Sequence, residues 1–389
     1  IRDFCLSRGL GDVYKRQPYS LASDITGIGF RTADKIALAT GMDGACEERI
    51  KAGLEYALNQ AASAGHTCVP EELLLRETVR LLQVSSSVVN DVFQKLLAED
   101  MLRTEEVGGL RLIYPEYLYQ AEVQTSKRLL KLRDLADALE KVNVDKIIGQ
   151  WESEAGIVLA EAQKEAIHAS LKYGVFVLTG GPGTGKTTVI KGILAVLEKA
   201  GCRILLAAPT GRAARRLADS SGHPAVTVHR LLEYTPNGGG FNFGKNDGDP
   251  LDADAIIIDE ASMLDITLTY HLLKAVQGGC RLIFVGDVDQ LPSVGAGSVL
   301  KDIIRSQKMP VVRLENVFRQ AEISPIVRNA HRINRGQMPE WEPSSDFTFV
   351  EIENEFDAAE YVANIYARLT QQSDWQSVQV LSPMHKNPC

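Results

Sequence analysis

Thr179-Gly180-Gly181-Pro182-Gly183-Thr184-Gly185-Lys186-Thr187-Thr188 decides how this chain is read. The apolar run Val175–Leu178 precedes it and an amphipathic pattern follows, which predicts a buried strand, a tight loop and a helix. The spacing of Gly180, four residues, Gly185, Lys186 and Thr187 lets backbone N–H groups curl around a polyphosphate at a helix N-terminus. Gly180, Gly181, Pro182, Gly183, Thr184, Gly185, Lys186, Thr187 and Thr188 are therefore the candidate nucleotide-binding residues. Lys186 is expected to reach the β- and γ-phosphates, and the Thr187 hydroxyl to ligate Mg²⁺.

Further strands supply partners for that loop. Ala255–Ile258 is a continuous apolar run of parallel-sheet type that delivers Asp259-Glu260 at its end. Asp259 is placed to hold Mg²⁺ through water, and Glu260 to orient and deprotonate the attacking water. A solvated acidic strand end is the plainer reading, but two carboxylates on a buried strand, downstream of a phosphate loop, weigh against it. Leu282–Val285 ends in Gly286-Asp287-Val288-Asp289-Gln290-Leu291, where the Gln290 amide can sense a γ-phosphate and the glycine-rich loop behind it can report that state elsewhere. Ile204–Ala207 leads to Ala208-Pro209-Thr210-Gly211-Arg212, followed by Arg215 and Arg216 where a helix starts.

Those arginines matter because bulk composition points the other way. The 389 residues carry a formal net charge of −8, which taken alone argues against a nucleic-acid partner. A local basic surface at Arg212, Arg215 and Arg216 is hidden in that sum. The six cysteines are scattered, with no Cys-x-x-Cys pair, so neither a disulfide framework nor a zinc site is indicated. No apolar run approaches the ~20 residues of a membrane span and no signal-peptide pattern opens the chain, so no membrane partner and a cytoplasmic location are expected.

The length suits two or three domains at about 100 to 200 residues each. Residues 1–17 lack a start methionine and a continuing periodicity, and read as foreign sequence. Residues 18–68 hold Ile25-Thr26-Gly27-Ile28-Gly29 between two short helical patterns, a helix-hairpin-helix arrangement. Gly27 and Gly29 could present backbone N–H groups to a DNA phosphate; an ordinary helical hairpin with glycine in its turn fits equally well. Residues 69–120 read as helix, turn, helix and hairpin, a winged-helix-like module. Its second helix carries Asp91, Lys95, Glu99 and Asp100, more acid than base, which favours a packing role over groove binding. Residues 121–150 read as a helical connection, residues 151–320 as the phosphate-loop domain, and residues 321–389 as the start of another domain that is cut short. There, Val378–Leu381 reads as a buried strand.

Taken in order, Gln163 on its helix, Gly180–Thr188, Ala208–Leu217, Thr227–Leu232, Ile256–Ser262, Gly286–Gly297 and Val317–Gln320 resemble the RecD-like branch of superfamily 1B DNA helicases. The resemblance runs from about Pro18 to Met384, and the N-terminal modules look like those of the longer RecD-like proteins. It implies a multidomain chain in which α-helical N-terminal modules precede an α/β RecA-like motor domain with a parallel sheet. It implies ATP, with Gln163 contacting adenine, and Arg319 reaching the γ-phosphate as an arginine finger. Thr210, Arg212, Thr227 and His229 lie in segments that contact single-stranded DNA in the family. The partners implied are single-stranded DNA and single-strand/duplex junctions, engaged by a monomer moving 5′ to 3′ in recombination or repair. In the family, an insertion near Thr235–Asp249 forms a pin that splits duplex; a disordered loop is the alternative for that stretch here. Without the remaining motifs of a second motor domain, the chain as given is expected to bind Mg·ATP, hydrolyse it poorly and unwind nothing. A competing function is an ATP-switched DNA-binding protein that does not translocate; the segments at Gln290 and Arg319 favour the motor.

Overall fold

The computed structural model describes residue 19 and residues 28–135, 142–237, 240–315, 324–341, 346–372 and 374–382. The chain divides into two compact units, Ile1–Val317 and Phe318–Cys389.

The first unit opens with helices α1 (Phe30–Ala39) and α2 (Glu47–Ser63), strand β1 (Val69–Pro70), helices α3 (Glu71–Leu82) and α4 (Ser86–Ala98), and hairpin strands β2 (Arg103–Val107) and β3 (Leu110–Tyr114). The helix, turn, helix and hairpin fall where the hydrophobic pattern predicts them. β3 pairs antiparallel with both β1 and β2, giving a small three-stranded sheet. Phe30, Ile50, Leu54, Leu74, Val89, Phe93 and Ile113 form the core of this region. Next to it, buried Arg49 donates to both carboxylate oxygens of Asp34 at 2.8 and 2.9 Å and to the carbonyls of Gly44 and Leu82. Burial works against the Asp34 carboxylate, but the hydrogen bonds from Arg49 and Tyr19 hold it below the ordinary range.

Helix α5 (Glu116–Leu135) follows. The sequence suggested a connection here, yet the helix starts earlier than its charge pattern implied and buries Leu118, Ala121, Leu129 and Leu132 in the core beneath the large sheet. Its Arg128 also pairs with Asp247 at 2.7 Å.

Helices α6 (Val144–Ala155) and α7 (Glu161–Lys172) lead into the α/β region. There the order is β4 (Val175–Gly180), α8 (Lys186–Lys199), β5 (Ile204–Ala208), α9 (Gly211–Ser221), β6 (Ala225–Thr227), α10 (Val228–Leu231), β7 (Tyr234–Asn237), β8 (Gly240–Phe243), β9 (Ala255–Ile258), α11 (Ile266–Ala275), β10 (Arg281–Gly286), α12 (Val299–Ser306) and β11 (Val311–Leu314). Six strands form one sheet in the order β11-β4-β10-β9-β5-β6, and every neighbouring pair is parallel. The expected fold class is borne out: a helical N-terminal region, then an α/β domain built on a parallel sheet.

Both faces of that sheet are covered, which explains the unbroken apolar runs. Val175, Val177, Ile256, Ile258, Leu282 and Phe284 face one core. Phe176, Leu178, Ile257, Ile283 and Val285 face the other, against Ile167, Val189 and Ile193 of α7 and α8. Each fully buried aliphatic side chain contributes roughly 1.5–3 kcal/mol, so the sheet is a stiff platform for the loops at its carboxyl edge.

The stretch Thr235–Asp249 contains an antiparallel hairpin, β7 with β8, rather than an irregular loop throughout. Phe243 anchors it, buried against His271 with ring centroids 4.4 Å apart.

In the second unit, α13 (Pro325–Asn334) and α14 (Glu355–Gln372) are the main elements. Asn329 is buried and exchanges hydrogen bonds with the backbone of Glu340 at 2.9 and 2.7 Å. Val378–Leu381, expected as a buried strand, is irregular, and Leu381 is 82% exposed. An apolar run becomes a strand only where a neighbour accepts its hydrogen bonds, and among the described residues none pairs with it.

Candidate nucleotide site

Strand β4 ends at Gly180, and the chain turns through Gly183 and Gly185, with φ of +75° and +84°, before α8 begins at Lys186. Both angles fall in the region that glycine adopts without steric cost. Gly180 is required for another reason: a Cβ there would stand 2.7 Å from the Thr184 hydroxyl and 2.8 Å from the Leu314 carbonyl oxygen. The buried Thr184 hydroxyl donates to the Gly181 carbonyl at 2.9 Å, closing the loop on itself.

Lys186 lies over this loop, its Nζ donating to the carbonyls of Gly180 at 2.6 Å and Gly181 at 3.0 Å. Burial pushes its ammonium below the ordinary lysine range, while the charges of Asp287, Glu260 and Asp259 pull the other way. The cation is therefore partly stripped of water and held by neutral carbonyls, an arrangement that a polyphosphate would stabilise. Thr187 and Thr188 follow on the first turn of α8, with Thr187 exposed at its mouth.

Strands β9 and β10 bring the carboxylates. Asp259 is 7% exposed, and burial raises its carboxyl above the usual range; the Glu260 N–H, donating to its Oδ1 at 2.9 Å, opposes that shift. Glu260 itself sits at φ +52°, a left-handed conformation that costs a non-glycine residue roughly 1 kcal/mol or more. Its side chain pairs with Arg216 of α9. Asp287, at the end of β10, is buried and accepts the Asp289 N–H at 3.1 Å.

Asp287 and the Arg216–Glu260 pair were not singled out from sequence. The signal for Asp287 was present, since it follows an apolar strand as Asp259 does. Gln290 lies in the expected loop with its side chain exposed. Gly27 and Arg319 lie outside the described residues.

Gln163 is buried rather than displayed on an exposed helix face. It is 2% exposed on α7, its Oε1 accepts the Ala160 N–H at 3.0 Å, and its Nε2 is buried without a partner among the described residues. A buried amide N–H left unpaired costs about 1–3 kcal/mol, which marks the position as one waiting for an acceptor.

The other candidate residues lie beyond β5 and β6. Thr210 caps α9 by accepting the Ala213 N–H at 3.2 Å, and Thr227 caps α10 by accepting the Arg230 N–H at 3.1 Å. Each cap contributes about 1 kcal/mol, so both threonines have a structural role whatever else they touch. Arg212 and His229 are exposed, and the His229 ring lies edge-on to Tyr234. Gly29 is the N-cap of α1, with open space around its Cα.

A parallel sheet carrying a phosphate loop and buried carboxylates on one edge defines a P-loop nucleotide-binding domain. Comparison with known proteins narrows the class. Residues 163–296 match the family described as AAA domain. Residues 7–68 match the ATP-dependent RecD2 DNA helicase HHH domain, a match that begins within the segment read as foreign. The ATP-dependent RecD2 DNA helicase of Deinococcus radiodurans is 35% identical over 378 residues, covering 94% of this chain and 51% of that protein. The RecBCD enzyme subunit RecD of Mycobacterium tuberculosis is 44% identical over 167 residues, or 37% of this chain and 28% of that protein. The crystal structure of Pif1 helicase from Candida albicans aligns with 56% of each chain at 18% identity and a TM-score of 0.36. The chain spans about half the length of the Deinococcus relative. The RecD2 and RecD matches, with the two family models, bear out the RecD-like resemblance read from the motifs.

Proposed function

We propose that the chain forms the N-terminal modules and nucleotide-binding domain of an ATP-dependent DNA helicase that moves along single-stranded DNA. The observation that carries this reading is that the phosphate loop and Lys186 follow β4 at the same sheet edge where the neighbouring strands β10 and β9 deliver Asp287, Asp259 and Glu260. In the reaction proposed, Lys186 leaves the loop carbonyls for the β- and γ-phosphates, and Gln163 Nε2 donates to adenine. Thr187, and Asp259 through water, fit Mg²⁺: both are hard oxygen donors, and Asp259 keeps one oxygen clear of the Glu260 amide. Bound there, the ion would supply charge neutralisation at the phosphates. Glu260 accepts a proton from water as the water oxygen bonds to the γ-phosphorus and the bond to the bridging oxygen breaks, releasing ADP and phosphate. Gln290 senses the γ-phosphate, and Arg319, by resemblance, completes the site.

For the DNA we propose the surface that bears Thr210, Arg212, Thr227 and His229, with contacts made to the backbone of single strands. Gly27 and Gly29 would add phosphate contacts near a single-strand/duplex junction. Polarity of 5′ to 3′, action in recombination or repair and a monomeric state follow the family resemblance; a cytoplasmic setting is proposed from the sequence pattern. Among the described residues no helix is long and apolar enough to cross a membrane.

ATP hydrolysis by the intact gene product, with and without single-stranded DNA and beside Lys186→Ala, tests this reading. Strong stimulation that vanishes in the variant is expected. Hydrolysis indifferent to DNA would move the reading to a nucleotide-switched binding protein.

A further inference from the structure

α5 and α12 flank a cavity of about 420 Å³ whose lining shares no residue with the nucleotide site. Small-molecule sites run from roughly 300 to 1,000 Å³, so the space suits a compact ligand. Its walls come from three places: Glu105 on β2, the face of α5 that carries Glu122, Thr125 and Leu129, and the stretch Gly297–Met309 that includes α12. Leu129, Val299, Ile303 and Met309 give it an apolar wall.

Against that wall stand three carboxylates and a single ammonium, that of Lys308. Glu122 is half-buried, while Glu105 and Asp302 are exposed and so mark the mouth. Burial raises the Glu122 carboxyl above its ordinary range, the charges of Asp302 and Glu105 push the same way, and a hydrogen bond with Thr67 opposes them. Asp302 is raised by desolvation too, against the pull of Arg305 and Lys301 on its own helix.

Thr125 lies three residues after Glu122 on the same face of α5. It is 4% exposed, and its hydroxyl is buried with no hydrogen-bond partner among the described residues. Buried hydroxyls are rarely left unpaired, and this one belongs to a residue that lines a cavity with room for a donor. An anion would be repelled by the carboxylates. A metal ion is poorly served, because among the described residues no group of three or more His, Cys, Asp or Glu converges to hold one. A neutral apolar molecule would leave Glu122 and Thr125 unanswered. An alkylammonium group donates up to three hydrogen bonds and accepts none, which matches a carboxylate beside a lone hydroxyl oxygen.

We propose that this cavity binds a linear aliphatic polyamine. One ammonium donates to the Glu122 carboxylate and the Thr125 hydroxyl, the methylene chain lies along Leu129 and Ile303, and a second ammonium meets Asp302 and Glu105 at the mouth. The bound amine joins α5 to the start of α12, beside Gly297, whose N–H already ties that stretch to the Gly65 carbonyl at 3.1 Å. The site stands whether or not the chain is part of a motor.

Calorimetric titration of the intact gene product with spermidine, without DNA or nucleotide, tests the site in wild type, Glu122→Gln, Asp302→Asn and Thr125→Val. Glu122→Gln is expected to weaken binding about tenfold, as the loss of a hydrogen bond to a charged group does. Asp302→Asn, at the exposed mouth, should cost a factor of about 2 to 5. Thr125→Val separates a ligand contact from a structural role. Removing an unpaired hydroxyl should leave the melting temperature of the free protein unchanged or higher while weakening spermidine about fivefold, whereas a merely structural threonine would lower the melting temperature and leave affinity alone. Hydrogen exchange should show added protection over Gly297–Met309 when spermidine is bound. Absence of binding at millimolar spermidine, equal affinity in wild type, Glu122→Gln and Thr125→Val, displacement by the same charge of Mg²⁺, or heptan-1-ol binding as tightly would each overturn the inference. DNA-stimulated hydrolysis is read in a separate assay, so failure of the motor reading and failure of this site are told apart.

Discussion

The backbone N–H of Gly297 donates to the carbonyl of Gly65 at 3.1 Å, which ties the loop behind Gln290 to the turn between α2 and β1. Gly297 sits at φ +95°, where a Cβ would meet the Ile266 Cβ at 3.1 Å and the Thr67 methyl at 3.4 Å. Gly297→Ala is therefore expected to lower stability by roughly 1–2 kcal/mol. It should also speed amide exchange around residues 64–68. Urea unfolding followed by hydrogen exchange checks both, and unchanged protection there would show that the bond does not tie the two segments.

Gly180 meets backbone as well as side chain, so its neighbours cannot easily give way. Gly180→Ala would press a methyl onto the Leu314 carbonyl and shift β11 against β4. A loss of about 1–3 kcal/mol of stability and a larger loss of nucleotide affinity are expected. Calorimetric titration with a non-hydrolysable ATP analogue gives the second quantity; wild-type affinity would count against the proposed cradle.

The unpaired Nε2 of Gln163 predicts a base preference. Gln163→Ala should raise KM for ATP about tenfold, the value of a single buried hydrogen bond, and bring ATP and GTP closer together. Parallel kinetics with both nucleotides test this, and an unaltered ATP-to-GTP ratio would remove Gln163 from the base site.

Stability should also fall in mild acid, through His271. Burial, with Lys274 nearby, lowers its imidazolium to about 4 from the ordinary 6.5. The folded protein keeps the ring neutral while the unfolded chain takes up a proton, so between about pH 6.5 and 4 the unfolded state binds more protons. The contribution is complete above that window, is lost as pH falls through it, and levels off below. Melting temperatures at several pH values should fall less steeply in His271→Leu than in wild type, whereas parallel slopes would contradict the assignment.

What could be read from sequence was whatever sits within one strand, loop and helix. β4, the phosphate loop and α8 were legible because an unbroken apolar run, glycines and an amphipathic pattern each report a local requirement. The pairing of Arg216 with Glu260 was not, since it joins residues that follow different strands. It depends on β5 lying beside β9, a matter of strand order that no local pattern encodes. Asp287 carried the same local signal as Asp259, but its nearness to Lys186 exists because β10 lies between β4 and β9. α5 looked like a connection because its exposed face is charged, while the apolar face that packs under the sheet was diluted within the same window. Val378–Leu381 shows the converse, an apolar run with no paired neighbour among the described residues.

Strand separation by the intact gene product is the sharpest check on the motor. A duplex carrying a 5′ single-stranded tail and one carrying a 3′ tail would be compared with Mg·ATP, beside Lys186→Ala. The 5′-tailed duplex alone should be unwound, and the variant should unwind neither. Failure to separate either duplex, despite DNA-stimulated hydrolysis, would contradict the motor and leave a nucleotide-switched DNA-binding protein in its place.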